Sequence, residues 1–104
     1  MVKFRSKQNR KLMMDLEHKG ITFHYATAQG IHHVGRSWGS IHALLMKLNR
    51  CRTYASRDHA LYVWMQDREL CLRFQSRGRV DECVLSPADT ARVMDFLGRA
   101  PNLN

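Results

Sequence analysis

Alternating hydrophobic and polar positions predict a β-hairpin in the first part of the chain. Ile21, Phe23 and Tyr25 alternate with smaller or more polar residues, a period of two that is typical of a half-buried strand. Residues 28–30 form a turn sequence, after which a second strand returns. Residues 21–37 are therefore predicted to form a hairpin.

A helix is predicted before this hairpin, over residues 7–19. Leu12 and Leu16 lie at helical spacing and share a narrow apolar stripe. Gly20 follows directly and is placed to end the helix in a left-handed turn. Because the stripe is narrow, such a helix needs support from the rest of the fold.

Two further helices have clearer signals. Residues 41–48 carry apolar side chains at i, i+3, i+4 and i+7, with Ser37 or Ser40 as the N-cap. The last helix begins at Ser86 and Pro87, which supply a cap and a favoured first helical residue.

Three strands are predicted between these two helices, over residues 61–66, 69–75 and 80–85. The first of them is apolar on both faces, which favours an interior position in its sheet. The predicted order is α-β-β-α-β-β-β-α. We therefore expect an α+β fold, with an antiparallel sheet and helices packed on one side, in a single domain over residues 1–104.

The charge of the chain is strongly one-sided. Lys and Arg number 17 against 9 acids, which gives a net charge of +8. Residues 1–57 have a balance of +9, whereas residues 58–104 are near neutral at −1. A directed positive field attracts polyanions, so nucleic acid or an acidic protein surface is the expected partner.

The predicted contact residues are cations of the basic half, together with a serine that precedes a helix N-terminus, where backbone N–H groups favour phosphate. They are Lys7, Arg10, Lys11, Arg36, Ser37, Lys47, Arg50, Arg52 and Arg57. Neighbouring aromatic residues suit contacts to bases. No helix-turn-helix, zinc-finger or RNP motif is present, so no sequence specificity is predicted.

Adjacent histidines at positions 32 and 33 are candidate catalysts, since imidazole can exchange a proton near neutral pH. Successive strand residues point to opposite faces, so His32 and His33 are poorly placed to share a metal ion. His24 could approach one of them across the hairpin. No metal site and no cofactor are predicted.

The run Gly30-Ile31-His32-His33 resembles the glycine-x-histidine turn of HicA-type toxins, and the likeness covers residues 7–36. HicA-type toxins are small basic RNases with a helix and a strand before this turn, so the resemblance implies RNase activity through the histidines. The chain departs from the family at Ile31, where a small polar residue is usual. The next helix also follows too soon to leave room for a third strand.

Cysteine spacing and hydropathy bear on the compartment. Cys51, Cys71 and Cys83 are irregularly spaced, which predicts neither a disulfide framework nor a zinc site. Cys71 and Cys83 fall in apolar segments and are expected to be buried thiols. No apolar run is long enough to span a membrane, so we expect no membrane partner and a cytoplasmic location.

Three functional hypotheses follow from these observations. The first is a small basic protein that binds DNA or RNA by electrostatic contacts and is not an enzyme. The second is an inhibitor of the phage or mobile-element type that binds a host protein, for example a nucleic-acid-processing enzyme. The third is a HicA-like RNase toxin. The sequence leaves the oligomeric state open.

Overall fold

Each half of the chain folds into four antiparallel strands followed by a helix. The computed structural model describes residues 1–99; the polar tail from Pro101 to Asn104 lies outside them. The elements are β1 Val2–Arg5, β2 Lys11–Leu16, β3 Gly20–Thr27, β4 Gly30–Ser37, α1 Trp38–Asn49, β5 Tyr54–Ala55, β6 Leu61–Gln66, β7 Glu69–Ser76, β8 Arg79–Val84 and α2 Pro87–Leu97.

The α+β class is confirmed, and from β3 onward the predicted strands and helices are present, with the short β5 added. The strands form two sheets, in the orders β1-β2-β3-β4 (the first sheet) and β5-β6-β7-β8 (the second sheet). The sequence pattern predicts a single antiparallel sheet. The chain forms two because α1 separates β4 from β5, and each half pairs its own strands through short turns.

The helix predicted over residues 7–19 is wrong, because this segment forms a turn and then β2. Leu12 and Met14 are buried, whereas Met13 between them lies half-buried on the opposite face. Burial along this segment therefore alternates with a period of two, as in a strand. Pairing with β1 on one side and β3 on the other supplies the backbone hydrogen bonds of this strand.

Gly20 begins β3 rather than ending a helix. A Cβ atom at this position would lie 1.8 Å from the carbonyl oxygen of Arg36 and 2.9 Å from the Cα of Ser37. Only a residue without a side chain permits this close approach of two backbones. The glycine thus serves the packing of β3 against the end of β4.

Both helices begin at the predicted caps. The Ser37 side chain accepts a hydrogen bond from the Ser40 N–H at the start of α1, and Ser86 does the same for Asp89 at the start of α2. Pro87 occupies the first turn of α2, as expected. In residues 1–99, no helix has the length and apolar character required to cross a membrane.

One hydrophobic core joins the two sheets and the two helices. Phe23 of the first sheet, Leu72 of the second, Leu44 of α1 and Val93 of α2 are all buried in it. Each sheet turns its other face away from this core, and we call these the outer faces. β6 has the predicted interior position, between β5 and β7, yet Tyr62 on its outer face is only half-buried.

Candidate nucleic-acid interface

Lys7 and Arg10, two predicted contact residues, are engaged by acids of the second half of the chain. The Lys7 Nζ atom lies 2.6 Å from a carboxylate oxygen of Glu69, and an Arg10 nitrogen lies 3.2 Å from a carboxylate oxygen of Asp81. Both ion pairs connect the β1–β2 turn to the second sheet. Their positive charges are therefore largely compensated within the fold.

Lys11 lies elsewhere, on the outer face of the first sheet. It begins β2 as the Cα partner of Arg5 on β1, and its side chain is exposed. Within residues 1–99, Lys11 forms no ion pair. This part of the surface is basic, but it is separate from the remaining predicted residues.

The other six predicted residues line two adjoining concavities beside α1, which we call the basic groove. They are Arg36, Ser37, Lys47, Arg50, Arg52 and Arg57. The larger concavity, of about 660 Å³, lies between α1 and the segment around β5, and the smaller one has about 150 Å³. Lys47, in the last turn of α1, lines both and connects them.

Arg36 is the one cation of the basic groove with an acidic partner among residues 1–99. Its guanidinium donates two hydrogen bonds to Asp58, at 2.9 and 3.1 Å. The Ser56 hydroxyl, the same guanidinium and the Ala60 N–H hold the pKa of Asp58 well below its usual range. Arg36 thus fixes the loop after β5 and contributes little free charge.

Four exposed cations remain uncompensated in the basic groove. Lys47, Arg50, Arg52 and Arg57 are all exposed, and none forms an ion pair within residues 1–99. Like charges held close together raise the local positive potential unless a counter-charge is supplied. The groove therefore presents four uncompensated cations, fewer than the eight cations that were predicted as contacts from the sequence.

The start of α1 borders the groove, but its polar groups are partly occupied. The Ser37 hydroxyl caps the helix through the Ser40 N–H, and the Trp38 N–H donates to the carbonyl of Lys19. The Trp38 ring is buried in the core and its indole N–H donates to the His18 carbonyl at 2.8 Å. Trp38 therefore anchors α1 to the core.

The adjacent histidines point in opposite directions, as expected for strand residues. His32 is fully buried and connects the two sheets: its Nδ1 lies 2.6 Å from the Ser76 hydroxyl and its Nε2 lies 2.6 Å from Asp81. The hydrogen bond from His32 lowers the pKa of Asp81, and the nearby charge of Arg10 contributes. These contacts give His32 a structural role between the sheets.

His33 instead lies on the outer face of the first sheet. Its Nδ1 is 2.6 Å from the Nδ1 of His24, its Cα partner on β3, and the Nε2 of His24 is 3.1 Å from Asp15. The predicted approach of His24 to one histidine of the pair is thus confirmed. In the part of the chain from residue 1 to 99, no three His, Cys, Asp or Glu residues are arranged to hold a metal ion.

The cysteines follow the prediction. Cys71 and Cys83 are buried and Cys51 is exposed, with no disulfide among the three. Burial raises the pKa of Cys83 to about 12. Cys51 lies between two arginines of the basic groove, so its thiol is a natural reporter on that surface.

Three residues on the outer face of the second sheet were not predicted from the sequence. Tyr62 and Trp64 on β6 and Arg73 on β7 line a concavity of about 260 Å³ together with Thr53, which also lines the basic groove. Tyr and Trp at alternating positions of a strand were the available signal. The apolar residues on both faces of this strand indicated only an interior position in its sheet, so its aromatic side chains were not among the predicted contact residues.

Comparisons of the chain with known protein families, with curated proteins and with solved structures find no match. The function is therefore inferred from the residues and their geometry.

Proposed function

We propose that this protein binds nucleic acid through the basic groove. It acts by covering the bound strand and does not catalyse a reaction on it. The observation that carries the proposal is the cluster of uncompensated cations: Lys47, Arg50, Arg52 and Arg57 are exposed and line adjoining concavities. Three of the four are arginines, whose planar guanidinium forms paired hydrogen bonds with phosphate oxygens.

The strength of such binding depends on salt in a predictable way. Each phosphate neutralised by a cation releases condensed counterions, so log K falls with log salt by about 0.9 per contact on a duplex and about 0.7 on a single strand. Four groove cations predict a slope of roughly −3 to −4. Cations outside the groove that reach phosphates would make the slope steeper.

Fluorescence anisotropy of labelled DNA and RNA, titrated between about 50 and 200 mM salt, tests the proposal. The double variant Lys47→Gln/Arg57→Gln should reduce the slope by roughly 1.5 to 2. Its matched control is Arg68→Gln/Arg77→Gln, which removes the same charge at two turns that do not line the groove. If both double variants reduced the salt slope by the same amount, or if binding did not respond to salt, the groove would not be the contact surface.

An acidic protein surface could meet the same cations, as the inhibitor hypothesis requires. A pull-down from a bacterial lysate after nuclease treatment separates the two partners. Loss of all bound material agrees with nucleic acid as the ligand. A stoichiometric protein that remains bound, and that the Lys47→Gln/Arg57→Gln variant no longer retains, would favour the inhibitor.

One observation favours the RNase as a second candidate, and it concerns His33 rather than the buried His32, the other predicted histidine. Asp15, His24 and His33 form a hydrogen-bonded chain on the outer face of the first sheet. If His24 donates its Nε2–H to Asp15, its Nδ1 accepts from His33, and the Nε2 of His33 is left as a base. That base could take the proton of a ribose 2′-hydroxyl as it attacks the adjacent phosphorus, while the departing 5′-oxygen takes a proton from water.

Cleavage of a labelled RNA tests this second candidate. His33→Ala is expected to abolish cleavage and His24→Ala to weaken it, whereas Ile31→Ala, an exposed neighbour on the same strand, should leave it unchanged. Cleavage by His33→Ala at the native rate would reject the histidine as the base.

A further inference from the structure

A row of planar side chains lies on the outer face of the second sheet. Tyr62 and Trp64 occupy alternate positions of β6, so both rings point away from the core, whereas Leu61 and Val63 between and beside them are buried. Neither aromatic ring is fully covered by the protein. Large aromatic rings that are partly exposed on an open sheet face are available for stacking.

Arg73 and His59 also lie beside the Tyr62 ring. The Arg73 guanidinium lies 5.9 Å from the centre of the Tyr62 ring and 5.6 Å from that of Trp64. The His59 ring stacks on Tyr62 with 6.3 Å between centroids and 24° between planes, and its Nδ1 is 3.0 Å from the Tyr62 hydroxyl. We call these four residues the stacking row.

The row is held in place by the sheet beneath it. Arg73 is the Cα partner of Tyr62 on one side and of Glu82 on the other, and it donates a hydrogen bond of 3.2 Å to the Glu82 carboxylate. A guanidinium fixed in this way orders the rings beside it before any ligand arrives. Preorganisation of this kind lowers the entropic cost of binding.

The stacking row adjoins the basic groove. Thr53 lines both the larger concavity of the groove and the concavity formed by Tyr62, Trp64 and Arg73. A nucleic acid whose phosphates occupy the groove would therefore carry its bases toward the row. A protein partner would also bury aromatic residues, but the four uncompensated cations beside the row favour a ligand with a negative backbone and planar groups.

We infer that the ligand of the basic groove is a single-stranded nucleic acid whose unpaired bases stack on the stacking row, with Trp64 as the main contact. This inference rests on the proposed function and narrows its ligand. In a duplex the base faces are already stacked on one another and cannot reach the row, whereas every unpaired base offers an aromatic face. Stacking tolerates any sequence, which agrees with the lack of a specificity motif.

Anisotropy with a labelled single strand of about 20 nucleotides, as DNA and as RNA, and with the matching duplex tests the inference. The single strand should bind at least about tenfold more tightly than the duplex at equal salt, and Trp64→Ala should weaken single-strand binding by about 5- to 150-fold. Trp64→Phe should retain most of the affinity. Ile31→Ala, an exposed apolar residue on the other sheet, is the control and should bind like the native protein.

Intrinsic fluorescence gives a second readout that does not depend on affinity. The chain has two tryptophans, and Trp38 is buried in the core. Quenching by the single strand should therefore come from Trp64 and be lost in Trp64→Phe. Urea midpoints of the variants check that the fold is intact.

The failure of this inference differs from the failure of the proposed function. Equal binding of single strand and duplex, with Trp64→Ala unchanged, would overturn the stacking row and leave the basic groove in place. The absence of salt-dependent binding to either form would overturn the groove itself. A protein partner that is retained after nuclease treatment and lost in Trp64→Ala would overturn the inference in favour of a protein-docking surface.

Discussion

The buried imidazole of His32 ties the two sheets together, and its removal is expected to destabilise the fold strongly. His32 belongs to the first sheet, while its hydrogen-bond partners Ser76 and Asp81 belong to the second, each at 2.6 Å. Its ring also stacks near Phe74, with 5.9 Å between centroids. The variant His32→Ala would break both hydrogen bonds and open a cavity beside that ring.

The size of the effect follows from the burial of His32. Truncating a large buried side chain costs about 2–5 kcal/mol, and a buried polar group left without its partner costs about 1–3 kcal/mol. Asp81 keeps its contact with Arg10, so part of the second cost is avoided. We expect a loss of roughly 3–5 kcal/mol in the free energy of unfolding, which for a domain of this size lowers Tm by more than about 12 °C.

Urea denaturation followed by tryptophan fluorescence measures the loss. His33→Ala is the matched control, because its side chain is exposed and its removal should cost less than about 1 kcal/mol. Ser76→Ala should cost about 1 kcal/mol, the value of one hydrogen bond. A loss below about 1 kcal/mol in His32→Ala, or equal losses at positions 32 and 33, would refute the structural role of the buried imidazole.

Three further predictions concern the backbone, the thiols and acid. Gly20→Ala should lower the free energy of unfolding by about 1–3 kcal/mol, because the added Cβ would lie 1.8 Å from a backbone oxygen. Gly39→Ala should raise it by about 0.5–1 kcal/mol, because Gly39 lies in α1 and the nearest atom to an added Cβ is 3.9 Å away. Urea denaturation of both variants measures the two changes, and a loss of stability in Gly39→Ala equal to that in Gly20→Ala would contradict the prediction. Mass spectrometry after maleimide treatment should count one label per folded chain, at Cys51, and bound nucleic acid should slow that labelling; rapid reaction of a second thiol would contradict the burial. Side-chain hydrogen bonds lower the pKa of both Asp58 and Asp81 in the folded protein. The two carboxylates therefore stabilise the fold above about pH 4, and this contribution is lost as the pH falls through their folded pKa values. The free energy of unfolding should decrease below about pH 4, and it should decrease less in Asp81→Asn.

The fold was predictable where the hydrophobic periodicity of a segment was unambiguous or where a helix N-cap preceded an apolar helical pattern. Ile21, Phe23 and Tyr25 of β3 alternate with smaller or more polar residues, and Ser37 and Ser86 are good N-caps that lie directly before apolar helical patterns. The N-terminal segment failed because Leu12, Met13 and Met14 are consecutive apolar residues that satisfy a helix or a strand equally well. Pairing with β1 and β3 decided between them, and such distant contacts are not visible in a local pattern.

The basic groove was only partly predictable, because the sequence shows how many charged residues there are but not which of them form ion pairs in the fold. Lys7 and its partner Glu69 are 62 residues apart, and Arg10 and Asp81 are 71 apart. No window along the chain could show that these two cations are compensated. Lys47, Arg50 and Arg52 were more accessible to prediction, since the end of α1 places them close together without help from the second half of the chain.

The stacking row illustrates a different limit of pattern reasoning. A strand with apolar residues on both faces is compatible with a buried position between two layers, and equally with an open face that carries aromatic side chains. Val63 and Trp64 differ in role only because the core covers one face of β6 and nothing in residues 1–99 fully covers the other. Charge alone would attract any polyanion to the basic groove. A tryptophan beside the groove can distinguish unpaired bases from paired ones, so the response of single-strand binding to Trp64→Ala decides whether this surface recognises bases as well as phosphates.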